Sequence, residues 1–109
     1  MLNNVVLLGR ITHDLELRRT ASGIAVCSFS VAVERDYKDA GGERVTDFFE
    51  VSAWRGLAEL ASKHFSKGQR VLIKGSLEQR KFTDKDGNNR SVVSVRAEDL
   101  YFVERRSDA

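Results

Sequence analysis

The chain has 109 residues, 41% of them hydrophobic and 31% charged, with a formal net charge of +2, which is one soluble domain with one core and only a local basic footprint. Its single cysteine, Cys27, excludes an internal disulfide and a cysteine metal cluster. No apolar run approaches membrane-spanning length and no signal-peptide pattern opens the chain, so the expectation is a cytoplasmic protein without a membrane partner.

Residues 5–12 begin with the apolar run Val5-Val6-Leu7-Leu8 and read as a strand that turns at Gly9. Glu16 to Thr20 is extended, with a turn at Ser22-Gly23. Cys27 to Val33 alternates cleanly, with Cys27, Phe29, Val31 and Val33 on one face, a predicted strand that buries Cys27 and leaves its thiol inert. Residues 34–46 are polar with Gly41-Gly42 at the middle, and read as a long flexible hairpin loop carrying Arg35, Tyr37, Lys38 and Arg44. The next stretch, Asp47 to Trp54, organises the rest. In a strand, Phe49, Val51 and Ala53 face a core while Phe48, Glu50, Ser52 and Trp54 face out. A large aromatic at each end of a polar face is costly unless unpaired bases or another subunit cover it.

After Trp54 the period changes. Leu57, Leu60, Ala61, His64 and Phe65 follow helical spacing, with Gly68 placed to stop the helix and His64 partly packed on the domain. Residues 70–82 alternate again, with Val71, Ile73, Gly75 and Leu77 inward and Lys74, Ser76, Glu78, Arg80 and Phe82 outward. Asp84 to Asn89 is a turn, and residues 91–103 form the returning strand. The expected division is a domain over 1–104 and a short charged tail over 105–109. Strands with one helix between the third and fourth main ones and long hairpins fit an all-β OB-fold, a five-stranded Greek-key barrel.

Tyr37, Phe48, Trp54 and Phe82 fall where such a barrel binds oligonucleotides, each near cations. Aromatic rings stack on bases of any identity at about 1–3 kcal/mol per base, and Lys and Arg neutralise phosphates. Candidate phosphate contacts are Arg10, Arg18, Arg35, Lys38, Arg55, Lys74, Arg80, Lys81 and Arg90. Taken singly, an aromatic is more often a packing residue, the role assigned to Phe29, Phe49, Phe65 and Phe102; four together interleaved with Arg and Lys reverse those odds. Lys63, Lys67, Arg70, Arg105 and Arg106 read as solvated charges.

Several pieces resemble, in order and spacing, the DNA-binding domain of bacterial single-stranded DNA-binding proteins. They are Asn4-Val5-Val6-Leu7-Leu8-Gly9-Arg10, Asp14 to Arg18, Ser22 to Val26, Leu57-Ala58-Glu59 leading to Lys67-Gly68, Gly75-Ser76-Leu77, and Arg80 to Asp84 with Asp86-Gly87. The resemblance implies base stacking at Tyr37, Phe48, Trp54 and Phe82, where the family frequently has tryptophan at some positions. It implies binding of single-stranded DNA in replication, repair and recombination, no catalysis, and a homo-oligomer, a tetramer first and a dimer second, with the first strand at the dimer contact. Three departures stand out. Leu15 replaces a usual proline, the charge lies on Arg55 rather than at Gly56, and the chain ends at Arg105 to Ala109 without the family's long linker and acidic tip, so partners recruited through that tip are not expected.

Other chemistries fare worse. His13 and His64 lie in different elements with no second ligand at metal spacing, and His13-Asp14 has no nucleophile placed with it. The glycines lack the Gly-Lys-Ser/Thr of a phosphate loop, and no cofactor or metal is expected. A metal-dependent nuclease would need clustered carboxylates, whereas Asp36, Asp39, Asp47, Asp84 and Asp86 are mostly in loops beside basic residues. The alternative reading is an OB-fold accessory module of the primosome, which would bind DNA more weakly and would not need all four aromatics.

Overall fold

Burial alternates residue by residue in the strands, and this places the core. A computed structural model describes residues 1–103; the expected tail over 105–109 lies outside the described residues. The elements are β1 (Val5–Ile11), β2 (Glu16–Arg19), β3 (Ala25–Lys38), β4 (Arg44–Trp54), α1 (Gly56–His64), β5 (Arg70–Thr83) and β6 (Asn89–Phe102). Ala25, Cys27, Phe29 and Val31 of β3 are buried, as are Val51 and Ala53 of β4, Val71 and Ile73 of β5, and Val95 and Ala97 of β6. β-Branched residues fill half of these inward positions, as a pleated half-buried surface favours.

The sheet runs β1-β5-β6-β4-β3-β2, and a further β1–β3 pairing closes it. The barrel proper is therefore β1, β3, β4, β6 and β5, with β2 an extra short strand on β3. This is the expected OB-fold, its helix lying between β4 and β5 once β2 is counted. The β4–β6 pairing is parallel and short, Val51 opposite Val95 and Ser52 opposite Arg96. Beyond it the β3–β4 and β5–β6 hairpins extend as two arms.

One close approach explains Gly75. A Cβ there would run into the Arg96 carbonyl oxygen, at a register shift where β6 carries the extra residue Glu98 between the pairs Lys74–Asp99 and Gly75–Ala97, and the β5–β6 ladder bends there.

Both arms end in the same turn chemistry. The Asp39 carboxylate accepts from the N–H groups of Gly41 and Glu43, and the Asp84 carboxylate from those of Asp86 and Asn88. Gly42 and Gly87 supply the left-handed residue, at φ 81° in each case.

Several expectations change. Residues 34–46 are not a long loop: β3 runs to Lys38 and β4 begins at Arg44, leaving a tight turn. Cross-strand ion pairs hold this polar arm, Arg44 to Glu34 at 3.0 Å and Arg35 to Asp47 at 2.8 Å. The helix stops at His64, before Gly68, because Phe65 turns extended (φ −114°, ψ 145°) and drops its ring into the core. That ring stacks on Phe102 with centroids 4.5 Å apart, although Phe102 keeps an exposed face. His64 is exposed and meets only the edge of Phe102, at 6.3 Å. Ala58 and Ala61 carry the buried face of α1, so Leu60 points to solvent. Leu77 and Phe49 stand on the inward side of their strands yet are exposed, because they lie where the arms leave the barrel. Cys27 is buried as expected, and burial pushes its thiol pKa up.

Candidate nucleic-acid interface

The outward residues of β3, β4, β6 and β5 form one continuous face. Strand alternation puts Phe48, Glu50, Ser52 and Trp54 of β4 on it, next to Val26 and Ser28 of β3 through the pairs Trp54–Val26 and Ser52–Ser28. From the other side come Arg96 and Ser94 of β6 and Glu78, Arg80 and Phe82 of β5. Val26, Ser28, Ser52, Trp54, Gln79 and Ser94 line a groove with Glu50, Glu78 and Arg80 at its sides. Arg80 approaches Glu50 at 4.0 Å and so bridges the two arms.

Three of the four expected aromatics share this face. Phe48 is 67% exposed and Phe82 is 43% exposed. Trp54 is half-buried, with its indole N–H donating to the Ser52 hydroxyl at 3.3 Å. Tyr37 is 61% exposed but belongs to a different cluster. Arg35 donates to its hydroxyl at 3.1 Å and clamps Asp47 with two bonds of 2.8 and 3.0 Å. Asp47 leaves β4 on the side opposite Phe48, so this trio sits on the reverse of the arm. The Asp47 pair holds the Arg35 pKa up, and Arg35 holds the Asp47 carboxyl below the ordinary aspartate range.

The candidate cations divide by partner. Lys38, Arg55 and Lys81 have no carboxylate partner among the described residues. Arg18 lies across from the groove residue Val26 and only loosely meets Glu16, at 3.6 Å. Arg90, across from Phe82, is tied to Asp84 at 2.8 Å, and that bond, with the Asn88 N–H, lowers the Asp84 pKa. Lys74 and Arg10 stand apart on the β1–β5 wall. Glu98 holds Lys74 at 3.0 Å and raises its pKa, while Arg10 donates to the Gly68 carbonyl at 2.9 Å.

Arg55 turns the chain from β4 directly into α1. It is the one non-glycine residue at positive φ among the described residues, at φ 58° and ψ −128°. Its N–H donates to Ala25 at 2.8 Å, which fixes the turn beside Trp54. Strained backbone of this kind clusters at binding sites, and here it adjoins the half-buried Trp54.

The model of the single-strand binding protein family matches residues 2–103. The chain belongs to that family. It is 41% identical over 107 residues to the single-stranded DNA-binding protein of Caldanaerobacter subterraneus subsp. tengcongensis, covering 98% of this chain and 71% of that one. It is similarly 41% identical to the single-stranded DNA-binding protein of Streptococcus pneumoniae serotype 4, over 98% of this chain and 69% of the relative. Single-stranded DNA-binding protein 2 of Listeria innocua serovar 6a is 40% identical over 109 residues, covering all of this chain and 69% of its own length.

Within the single-strand binding protein frame, a cation beside the groove escaped the sequence reading. Arg96 lies over the Trp54 ring with its guanidinium carbon 5.3 Å from the centroid. The signal was present: Arg96 is a lone cation between the inward residues Val95 and Ala97, so alternation sends it outward.

Proposed function

We propose that this chain binds single-stranded DNA without sequence preference, coating and protecting it during replication, repair and recombination. The observation that carries the reading is the row of Phe48, Trp54 and Phe82 along one outer face with arginines between them. Unpaired bases stack on the rings, and duplex DNA, whose bases are already stacked, gains nothing there. Lys38, Arg55 and Lys81 take phosphates directly, and the loosely held Arg18 and Arg80 join them. Arg35 and Arg90 chiefly brace the arms that carry Tyr37 and Phe82. Arg10 and Lys74 contribute only where a strand wraps around the barrel.

The role is binding and not catalysis, in the cytoplasm at the nucleoid. Among the described residues no helix is long and apolar enough to cross a membrane. The outer face of β1 exposes Val6 and Leu8, which continue through Leu72 to the exposed Tyr101. This apolar strip supports self-association, as a tetramer first and a dimer second.

Trp54 is the only tryptophan, so its fluorescence reports the groove. Titration with poly-dT at two salt concentrations should quench it strongly, more weakly at high salt, with duplex DNA ineffective. Equal quenching by duplex would overturn the reading.

A further inference from the structure

Three of the four aromatics carry the same attachment, an arginine over or beside the ring that is itself paired with a carboxylate. Arg35 serves Tyr37 at 5.9 Å with Asp47 as its anion. Arg80 serves Phe82 at 5.5 Å with Glu50, and Arg96 serves Trp54 at 5.3 Å with Glu78. The first of these anchors is short and two-pronged, at 2.8 and 3.0 Å. The other two are long, 4.0 Å for Arg80 and 3.9 Å for Arg96. Long ion pairs between exposed side chains are worth little, so they exchange readily.

We propose that Arg96 is a strand-binding residue that Glu78 holds in reserve over Trp54. The inference rests on single-stranded DNA being the ligand. In the unbound protein the planar guanidinium covers part of one face of the indole. When a base stacks at Trp54, the phosphate of that nucleotide enters the same groove as a second anion competing for Arg96. A guanidinium takes a phosphate through two parallel bonds, a better geometry than its present contact with Glu78. Arg96 therefore passes from carboxylate to phosphate, and Glu78 is left facing solvent on an exposed arm. Glu78 acts as a competitor that lowers affinity and keeps the unoccupied groove from presenting bare positive charge. Arg35 makes no such exchange, because Asp47 holds it too well.

The test is fluorescence anisotropy of a labelled dT oligonucleotide with the intact protein over a range of salt. The variants are Arg96→Ala, Glu78→Gln, the two combined, and Glu59→Gln as a control on α1, where among the described residues the Glu59 carboxylate pairs only with Arg19. Arg96→Ala should weaken binding about 3- to 10-fold, the net effect of one charge-assisted contact exchanged for another. It should also flatten the salt dependence by about 0.7 in log–log slope, one phosphate's share on a single strand. Glu78→Gln should tighten binding at least about twofold more than Glu59→Gln does, and that gain should vanish when Arg96 is alanine. Arg96→Lys guards against misfolding, and should keep the slope while losing part of the affinity. Unchanged affinity and slope in Arg96→Ala, with wild type binding normally, would overturn the proposal. So would an equal gain from Glu78→Gln in both backgrounds, which would make Glu78 a plain repulsive charge. Failure of the wild-type protein to bind dT would instead overturn the assignment of the ligand.

Discussion

Replacing Arg55 by glycine should stabilise the fold while weakening strand binding, and comparison with alanine separates the two effects. Arg55 sits at φ 58° and ψ −128°, where a Cβ is crowded by backbone, and conformations of this kind cost about 1–3 kcal/mol. Glycine has no Cβ and escapes that cost, but its unfolded chain is freer by about 0.5–1 kcal/mol. Alanine keeps the strain and removes the charge. Arg55 makes no side-chain cap bond to α1, so neither substitution removes one. Glycine is also the better of the two at a helix N-cap. Arg55→Gly should therefore exceed Arg55→Ala by about 1–2 kcal/mol, or about 5–10 °C in melting temperature for a domain of this size. The melts need one protein concentration, because association shifts them. Both variants should lose the same affinity for dT and the same share of salt dependence, since both lose one cation. If Arg55→Ala melts as high as Arg55→Gly, the backbone there is not strained. If the two differ in binding, Arg55 contributes through turn geometry and not through its charge.

Trp54→Ala and Phe82→Ala should each weaken dT binding by about 1–3 kcal/mol, roughly 5- to 150-fold, with little change in melting temperature. A Trp54→Ala variant that loses much of its stability while its folded fraction keeps full affinity would make the outer-face assignment wrong. Phe29→Ala should cost about 3–5 kcal/mol in a urea melt. Phe49→Ala should cost less, about two-thirds as much on burial alone, because Phe49 is already 37% exposed against 6% for Phe29. The Asp47 and Asp84 pKa values are depressed by Arg35 and Arg90, so the folded state gives up those carboxylate charges later than the unfolded chain as pH falls. Their contribution is complete above the ordinary aspartate range and lost as pH drops through the depressed values. The urea midpoint should fall from about pH 6 to about pH 3, and Asp47→Asn with Asp84→Asn should shrink that fall. An undiminished fall in the double variant would show that other groups govern it.

The barrel was legible in the sequence wherever burial enforces a period. Cys27 to Val33 announces β3 because its alternate residues fill the core, and the Asp-Gly pattern at 84–89 announces the β5–β6 turn because only such residues make it. The β3–β4 arm was not legible, since both its sides are polar and its cohesion comes from ion pairs that periodicity does not register. Alternation correctly assigned Phe49 and Leu77 to a side of the sheet, but not whether the barrel still covers that side. The three groove aromatics followed from Phe48, Trp54 and Phe82 alternating outward. The tie of Tyr37 and Asp47 to Arg35 could not follow, because it depends on how the arm pairs across a register shift between Glu34 and Lys38.

The missing side chain at residue 75 makes interior and exterior inseparable at one spot. The carbonyl pressed against Gly75 belongs to Arg96, whose own side chain reaches over the tryptophan on the opposite surface. Anything that widened the spacing of those two backbones would move the Cα from which that guanidinium extends. If Arg96 takes a phosphate as proposed, variants that ease this bend should be scored for dT affinity as well as for melting temperature.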